Sequence, residues 1–102
     1  MTIEEIRKKI TPVLRTSGVE YAALFGSAAR GEAGPASDID ILVRYSATPS
    51  LLGHIGLAQT LEGTLHAKVD LVTERSLHRL LVPRVKRDLK VLYGQGQRPD
   101  LH

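Results

Sequence analysis

Two short apolar runs, Tyr21 to Phe25 and Ile39 to Val43, are joined by a stretch that opens on Gly26-Ser27 and closes on Ser37-Asp38. A second aspartate, Asp40, stands inside the second run. Apolar runs of this length bounded by small residues read as strands, and a Gly-Ser pair at the end of one can open a helix. Gly31 and Gly34-Pro35 then allow the chain to reverse. The segment therefore reads as strand, turn with a short helix, loop, strand.

Chemistry follows from the strand period. Alternate side chains share a face, so Asp38 and Asp40 project together, roughly 6.6 Å apart at Cα. Ile39 and Ile41 point the other way, into a core. Two carboxylates so close repel each other and tend to hold a proton between them. A divalent cation removes the conflict, and paired hard oxygens suit Mg²⁺, which takes one or two carboxylates plus substrate phosphates. Gly26-Ser27 meanwhile lets backbone N–H groups and a hydroxyl approach an anion, as a phosphate cradle at a helix start. A lone Asp-x-Asp or a lone Gly-Ser is ordinarily structural. Their joint occurrence between two apolar runs points to a nucleoside triphosphate site.

The stretch resembles the signature of the minimal nucleotidyltransferases, within the superfamily that includes DNA polymerase beta. That signature reads G-S-x-A-R-G-x(5)-S-D-x-D-[IL], and Gly26, Ser27, Ala29, Arg30, Gly31, Ser37, Asp38 and Asp40 fill it. The similarity extends over roughly residues 3–93. It implies an α/β nucleotidyltransferase fold, a short mixed sheet with helices packed against it and the acids at one end. It also implies an MntA-type antitoxin, paired with a helical HEPN partner in a toxin–antitoxin system.

Length sets the architecture: 102 residues make one domain, near the low end at which a single core suffices. A domain over residues 1–94 with a mobile Gly/Gln/Pro-rich tail, 95–102, is expected. With no Trp and one Phe, the core must be aliphatic. The absence of cysteine excludes disulfides and thiolate metal sites. No apolar run approaches membrane-spanning length and no leader pattern opens the chain, so a cytoplasmic location without membrane contact is expected. The net charge of +3 is uneven. Between Glu74 and Lys90, Arg75, Arg79, Arg84, Lys86, Arg87 and Lys90 face only Glu74 and Asp88. Such a segment can meet nucleic acid, an acidic partner or a triphosphate tail, or simply be a solvated helix face.

Along the chain, Thr2-Ile3-Glu4-Glu5 reads as a capping box before the stripe Ile3, Ile6, Ile10, Val13 and Leu14. This helix ends near Gly18, with a bend expected before Pro12 and a solvated face of Arg7, Lys8, Lys9 and Arg15. Val19 to Phe25 is the first strand. Arg30 lies close enough to the cradle to touch phosphate, or else to pair with Asp38 or a loop carboxylate. Ser50 caps a second long helix over 51–66, with Leu51, Leu52, Ile55, Ala58, Leu61 and Leu65 as its sheet-facing stripe. Gly53-His54-Ile55-Gly56 superficially matches the loop of KH domains, but lacks basic central residues and lies within the helical pattern. His54 and His66 read as surface residues.

Lys68 to Val72 alternates as a strand, with Asp70 between apolar neighbours. An unpaired buried charge is expensive, and a third metal carboxylate beside Asp38 and Asp40 supplies the reason for it. The resemblance agrees, since the family's third acid falls in the strand after this helix. Leu77, Leu80, Leu81, Val85 and Leu89 outline a basic amphipathic segment interrupted at Pro83. Its final helix, as in the family, is expected at about 84–91.

The resemblance further implies two Mg²⁺ ions held by Asp38, Asp40 and Asp70, with ATP as substrate. Asp70 would also accept the acceptor's proton, while Gly26 and Ser27 hold the β and γ phosphates. About 90 residues leave no evident second domain for an acceptor, so a partner is expected to supply it: a tyrosine on a HEPN ribonuclease toxin, inactivated by AMP transfer. The alternatives are an antitoxin that neutralises by binding alone, and a nucleotidyltransferase for a small molecule. Direct nucleic-acid binding by the basic segment is not expected. Homo- or hetero-oligomers both remain open.

Overall fold

The computed structural model describes residues 2–31, 38–76 and 82–94. The first helix, α1 (Ile3–Thr16), starts as anticipated: the Thr2 hydroxyl accepts the Glu5 N–H at 3.1 Å. The Glu5 carboxylate returns to the Thr2 hydroxyl, not to its backbone N–H. Ile6, Ile10 and Leu14 are buried, with Ile3 and Val13 at their margin. The helix is continuous through Pro12, which is exposed, so the carbonyl it cannot serve can turn to water. Arg7 is not merely solvated: its Nη2 donates to the Val91 carbonyl at 2.8 Å, linking this helix to the last strand.

Gly18 (φ +74°) turns the chain into β1 (Val19–Phe25), which runs directly into a single helical turn, α2 (Gly26–Ala29). Strand β2 (Ile39–Tyr45) returns antiparallel to β1, with Phe25 opposite Asp40. The second long helix, α3 (Leu51–Leu65), then crosses over to β3 (Val69–Thr73), parallel to β2. With a fourth strand, β4 (Lys90–Tyr93), the sheet order is β3-β2-β1-β4, a mixed four-stranded sheet of the α/β kind expected.

Two apolar layers result. Leu24, Ile39, Ile41, Val43, Val69 and Leu71 join α1 and α3 on one face. Tyr21, Ala23, Phe25 and Leu42 carry a smaller layer on the other. The two central strands are therefore apolar on both faces, which is why neither shows clean alternation in the sequence.

Helix α3 differs from expectation in its facing. Leu57, Leu61 and Leu65 are buried, whereas Leu51, Leu52 and Ile55 are exposed. The inward position of the first turn belongs to His54, half-buried, whose Nδ1 meets the Tyr45 hydroxyl at 2.7 Å and Nε2 the Leu71 carbonyl at 3.0 Å. A polar residue with two partners satisfies that position, so the flanking leucines face outward. His66 is exposed, as expected, and adopts the left-handed conformation that ends the helix.

The C-terminal segment differs more. A helix, α4 (Val82–Asp88), holds Val85 and Leu89 against the second layer, but the chain then forms a strand, β4 (Lys90–Tyr93), where helix was expected to continue. β4 pairs antiparallel with the free edge of β1. Pairing with an unfilled strand edge outweighs one more helical turn, and Val91 and Tyr93 are residue types that suit a pleated, half-buried surface. Pro83 sits in the first turn of α4, where its missing N–H costs nothing. Gly34-Pro35, Ser37, Leu77 to Leu81 and the 95–102 tail lie outside the described residues.

Candidate nucleotide-binding site

The register of the sheet brings the three aspartates to one end. Asp40 is the direct partner of Asp70 across β2 and β3, about 4.8 Å apart at Cα as adjacent strands are. Asp38 precedes β2, beside the point where the Ile39 N–H donates to the Lys68 carbonyl at 2.8 Å. Asp38 and Asp70 are exposed and Asp40 is half-buried. Asp70 thus stands where the strand pattern places it, but not for the expected reason. Its face of the sheet is open to solvent at this end, so no burial cost has to be offset.

Gly26 completes the arrangement. It has φ +72°, and a Cβ there would lie 2.4 Å from Asp40 Oδ2. Only glycine supplies both that backbone conformation and that clearance. Ser27 follows, and the Arg30 N–H closes the turn on the Gly26 and Ser27 carbonyls at 3.3 and 3.2 Å. A helix of one turn has little macrodipole, so anion binding here would rest on the N–H groups themselves. Among the described residues, Arg30 pairs with Asp88: its Nη1 meets Asp88 Oδ2, in α4, at 2.5 Å, while the loop carboxylate Glu32 lies outside the described residues. Asp88 was not singled out from the sequence. A lone acid among basic residues gave only the weak signal of an opposite charge near the end of an apolar stripe.

Burial, then Asp70, then Asp38 push the Asp40 carboxyl from the usual 3.8 up to about 6. The folded state thus holds its proton more tightly than the unfolded chain. Stability from this residue is complete below pH 4 and lost as pH rises through 6. Asp40→Asn should therefore stabilise the metal-free protein at pH 7.5 by about 1.5 kcal/mol, half of the full shift because the group is partly solvated. The gain should vanish near pH 4. Urea melts in EDTA at the two pH values check this, and an equal difference at both would refute it.

Among the described residues, no three acidic, histidine or cysteine side chains are gathered closely enough to hold a metal ion by themselves. The donor set still fits Mg²⁺, which binds through one or two carboxylates per ion and completes its shell with water and phosphate oxygens. A cleft of about 230 Å³ at the other end of the sheet, bordered by Arg44, Tyr45 and Arg75, contains none of the three acids. No helix among the described residues is long and apolar enough to cross a membrane.

Residues 8–98 match the family described as "Polymerase beta, Nucleotidyltransferase". The chain is similar to the protein adenylyltransferase MntA of Thermococcus cleftensis, 40% identical over 93 residues, 87% of this chain and 94% of that one. It also resembles a toxin–antitoxin crystal structure with AMP-PNP: TM-score 0.76 and 35% identity over 87% of this chain and 73% of that one. A third likeness is to the complex of the tri-AMPylated Shewanella oneidensis HEPN toxin with its MNT antitoxin. There the TM-score is 0.71 and the identity 31%, over 92% of this chain and 74% of that one. With its strand register, its glycine turn and nine-tenths of its length accounted for in this way, the chain belongs to the polymerase beta nucleotidyltransferase family.

Proposed function

We propose that this chain is a Mg²⁺-dependent protein adenylyltransferase that acts in the cytoplasm as an antitoxin. It would move AMP from ATP to a tyrosine hydroxyl of a HEPN ribonuclease toxin. The observation that carries this reading is the pairing of Asp40 with Asp70 directly beneath the Gly26 turn. Carboxylates and a phosphate-sized backbone cradle share one end of the sheet. The relatives support a HEPN toxin as acceptor: one is a protein adenylyltransferase, and another is an antitoxin in complex with a tri-AMPylated HEPN toxin.

The acceptor oxygen would bond to the α-phosphorus as the bond to the bridging oxygen breaks, and pyrophosphate leaves. Asp38, Asp40 and Asp70 would hold Mg²⁺, which when bound neutralises triphosphate charge and promotes deprotonation of the attacking hydroxyl. Gly26 and Ser27 bind the β and γ phosphates through their N–H groups and the Ser27 hydroxyl, fixing the leaving group in line. Asp70, exposed at the edge of the site, takes the hydroxyl proton on a carboxylate oxygen. The family fold thus contributes positioning and charge, with no covalent enzyme intermediate.

The test uses purified protein, the HEPN protein encoded beside it, Mg²⁺ and ATP labelled at either the α or the γ phosphorus. Label from the α position alone should appear on the HEPN protein. A stable complex that takes no label would point to neutralisation by binding.

A further inference from the structure

Among the described residues, Asp88 is the one buried polar or charged side chain, 7% exposed. A carboxylate so deep is costly unless paired. Its Oδ2 meets Arg30 Nη1 at 2.5 Å, and its Oδ1 lies 3.6 Å from Arg87 Nε. The Arg30 contact joins the last residue of α4 to the residue that ends α2, across 58 positions of sequence. Both helices are small. Four residues of helix cannot hold their own shape in water, so the place of α2 depends on its tethers.

Those tethers come from two sides. Ala28 and Ala29 are buried in the layer beneath α1 and α3. On the opposite side, α4 is fixed by Val85 and Leu89 in the second layer, and its terminal Asp88 grips the Arg30 guanidinium. Arg30 also closes the turn through its backbone N–H, bonded to the Gly26 and Ser27 carbonyls. A pull on the guanidinium is therefore felt at the Gly26-Ser27 backbone. That backbone has little slack, since there is no room for even a methyl group between Gly26 and the Asp40 carboxylate.

We propose that Asp88 is a positioning residue for nucleotidyl transfer. Through Arg30 it holds the Gly26-Ser27 turn in register with Asp40, and the two side chains act as one unit. This inference rests on the site described above as the place of transfer. Asp88 touches neither nucleotide nor acceptor. The guanidinium spends charge on Asp88 that a phosphate would otherwise draw, so Arg30 works through the turn more than on the triphosphate.

Four forms test this: Arg30→Met, Asp88→Asn, the double Arg30→Met/Asp88→Asn, and Arg30→Met/Asp88→Leu. The last buries no charge and is the form expected to fold even where the single variants do not. For each, kcat and KM for ATP are measured well below its Tm, together with amide exchange over residues 26–31. Misplacing a catalytic group by about 1 Å can cost about 100-fold, so losses of about 10- to 100-fold in kcat/KM are expected, carried by kcat. The doubles should be no worse than the singles, as for two residues acting as one unit. Faster exchange over 26–31 should accompany the loss, and this readout stands even if no acceptor is ever labelled. Wild-type kcat and exchange in the folded Met/Leu form would overturn the proposal. So would an Arg30→Met form with a raised KM far beyond that of Asp88→Asn, which would place Arg30 directly on phosphate. A wild-type protein that transfers nothing, yet shows the exchange effect, would sink the transfer reading and leave the tether.

Discussion

An Asp40→Asn variant will fold at least as stably as the wild type and will transfer AMP about 100- to 1,000-fold more slowly. Asp40 is the acid at the centre of the group: it pairs with Asp70 in register, stands one strand period from Asp38, and lies directly under Gly26. An amide keeps the shape and removes the charge. Loss of a preorganised electrostatic contact of this kind costs about 3 to 4 kcal/mol in the transition state, a fall of about 100- to 1,000-fold in kcat. The same burial and crowding that push its carboxyl up to about 6 make the charged form a burden on the metal-free fold. Activity should thus fall as stability at neutral pH rises, the usual opposition at a site built for chemistry. Single-turnover transfer from α-labelled ATP, run beside thermal melts in EDTA, measures both. An Asp40→Asn protein with wild-type transfer would remove Asp40 from the mechanism.

Gly26→Ala should cost nearly as much by a different route. The added methyl would lie 2.4 Å from Asp40 Oδ2, and the backbone there has φ +72°. Holding an L-residue left-handed costs about 1 to 2 kcal/mol before the clash is counted. The clash must be relieved by moving Asp40, by moving the turn, or both, and either separates the phosphate cradle from the acids. A fall of about 100-fold in kcat/KM is expected, with a loss of stability of about 2 kcal/mol. Gly18→Ala is the matching control. It has φ +74° and nothing within 4 Å, so it should show the backbone cost alone and keep its activity. Equal activity in the two variants would show that the close approach to Asp40 is not used.

The strands around the site were legible because each is short, apolar and closed by small or acidic residues. β1 and β2 follow from Val19 to Phe25 and Ile39 to Val43 alone, and Asp70 from its alternation with Val69 and Leu71. The inward face of α3 departs from its apolar stripe because apolar character alone does not decide which side chains are buried. Leu51 and Leu52 face outward, and His54 faces in, because its two ring nitrogens find partners that no local pattern announces. β4 likewise has no local signal. Its strand state comes from the open edge of β1, which exists only once the sheet has formed.

By itself, then, the order of residues determined the local parts: a strand ending on glycine, a one-turn helix, and carboxylates spaced two apart on a second strand. Local sterics, strand alternation and glycine's freedom act within a few residues, so a linear reading can reach them. Only the tertiary structure decided the register that sets Asp70 directly opposite Asp40, that Gly26 would close over it, and that Asp88 would capture Arg30. Those are contacts between segments distant in the chain. Their energies depend on burial and on which partner is near, and neither quantity exists until the layers have packed.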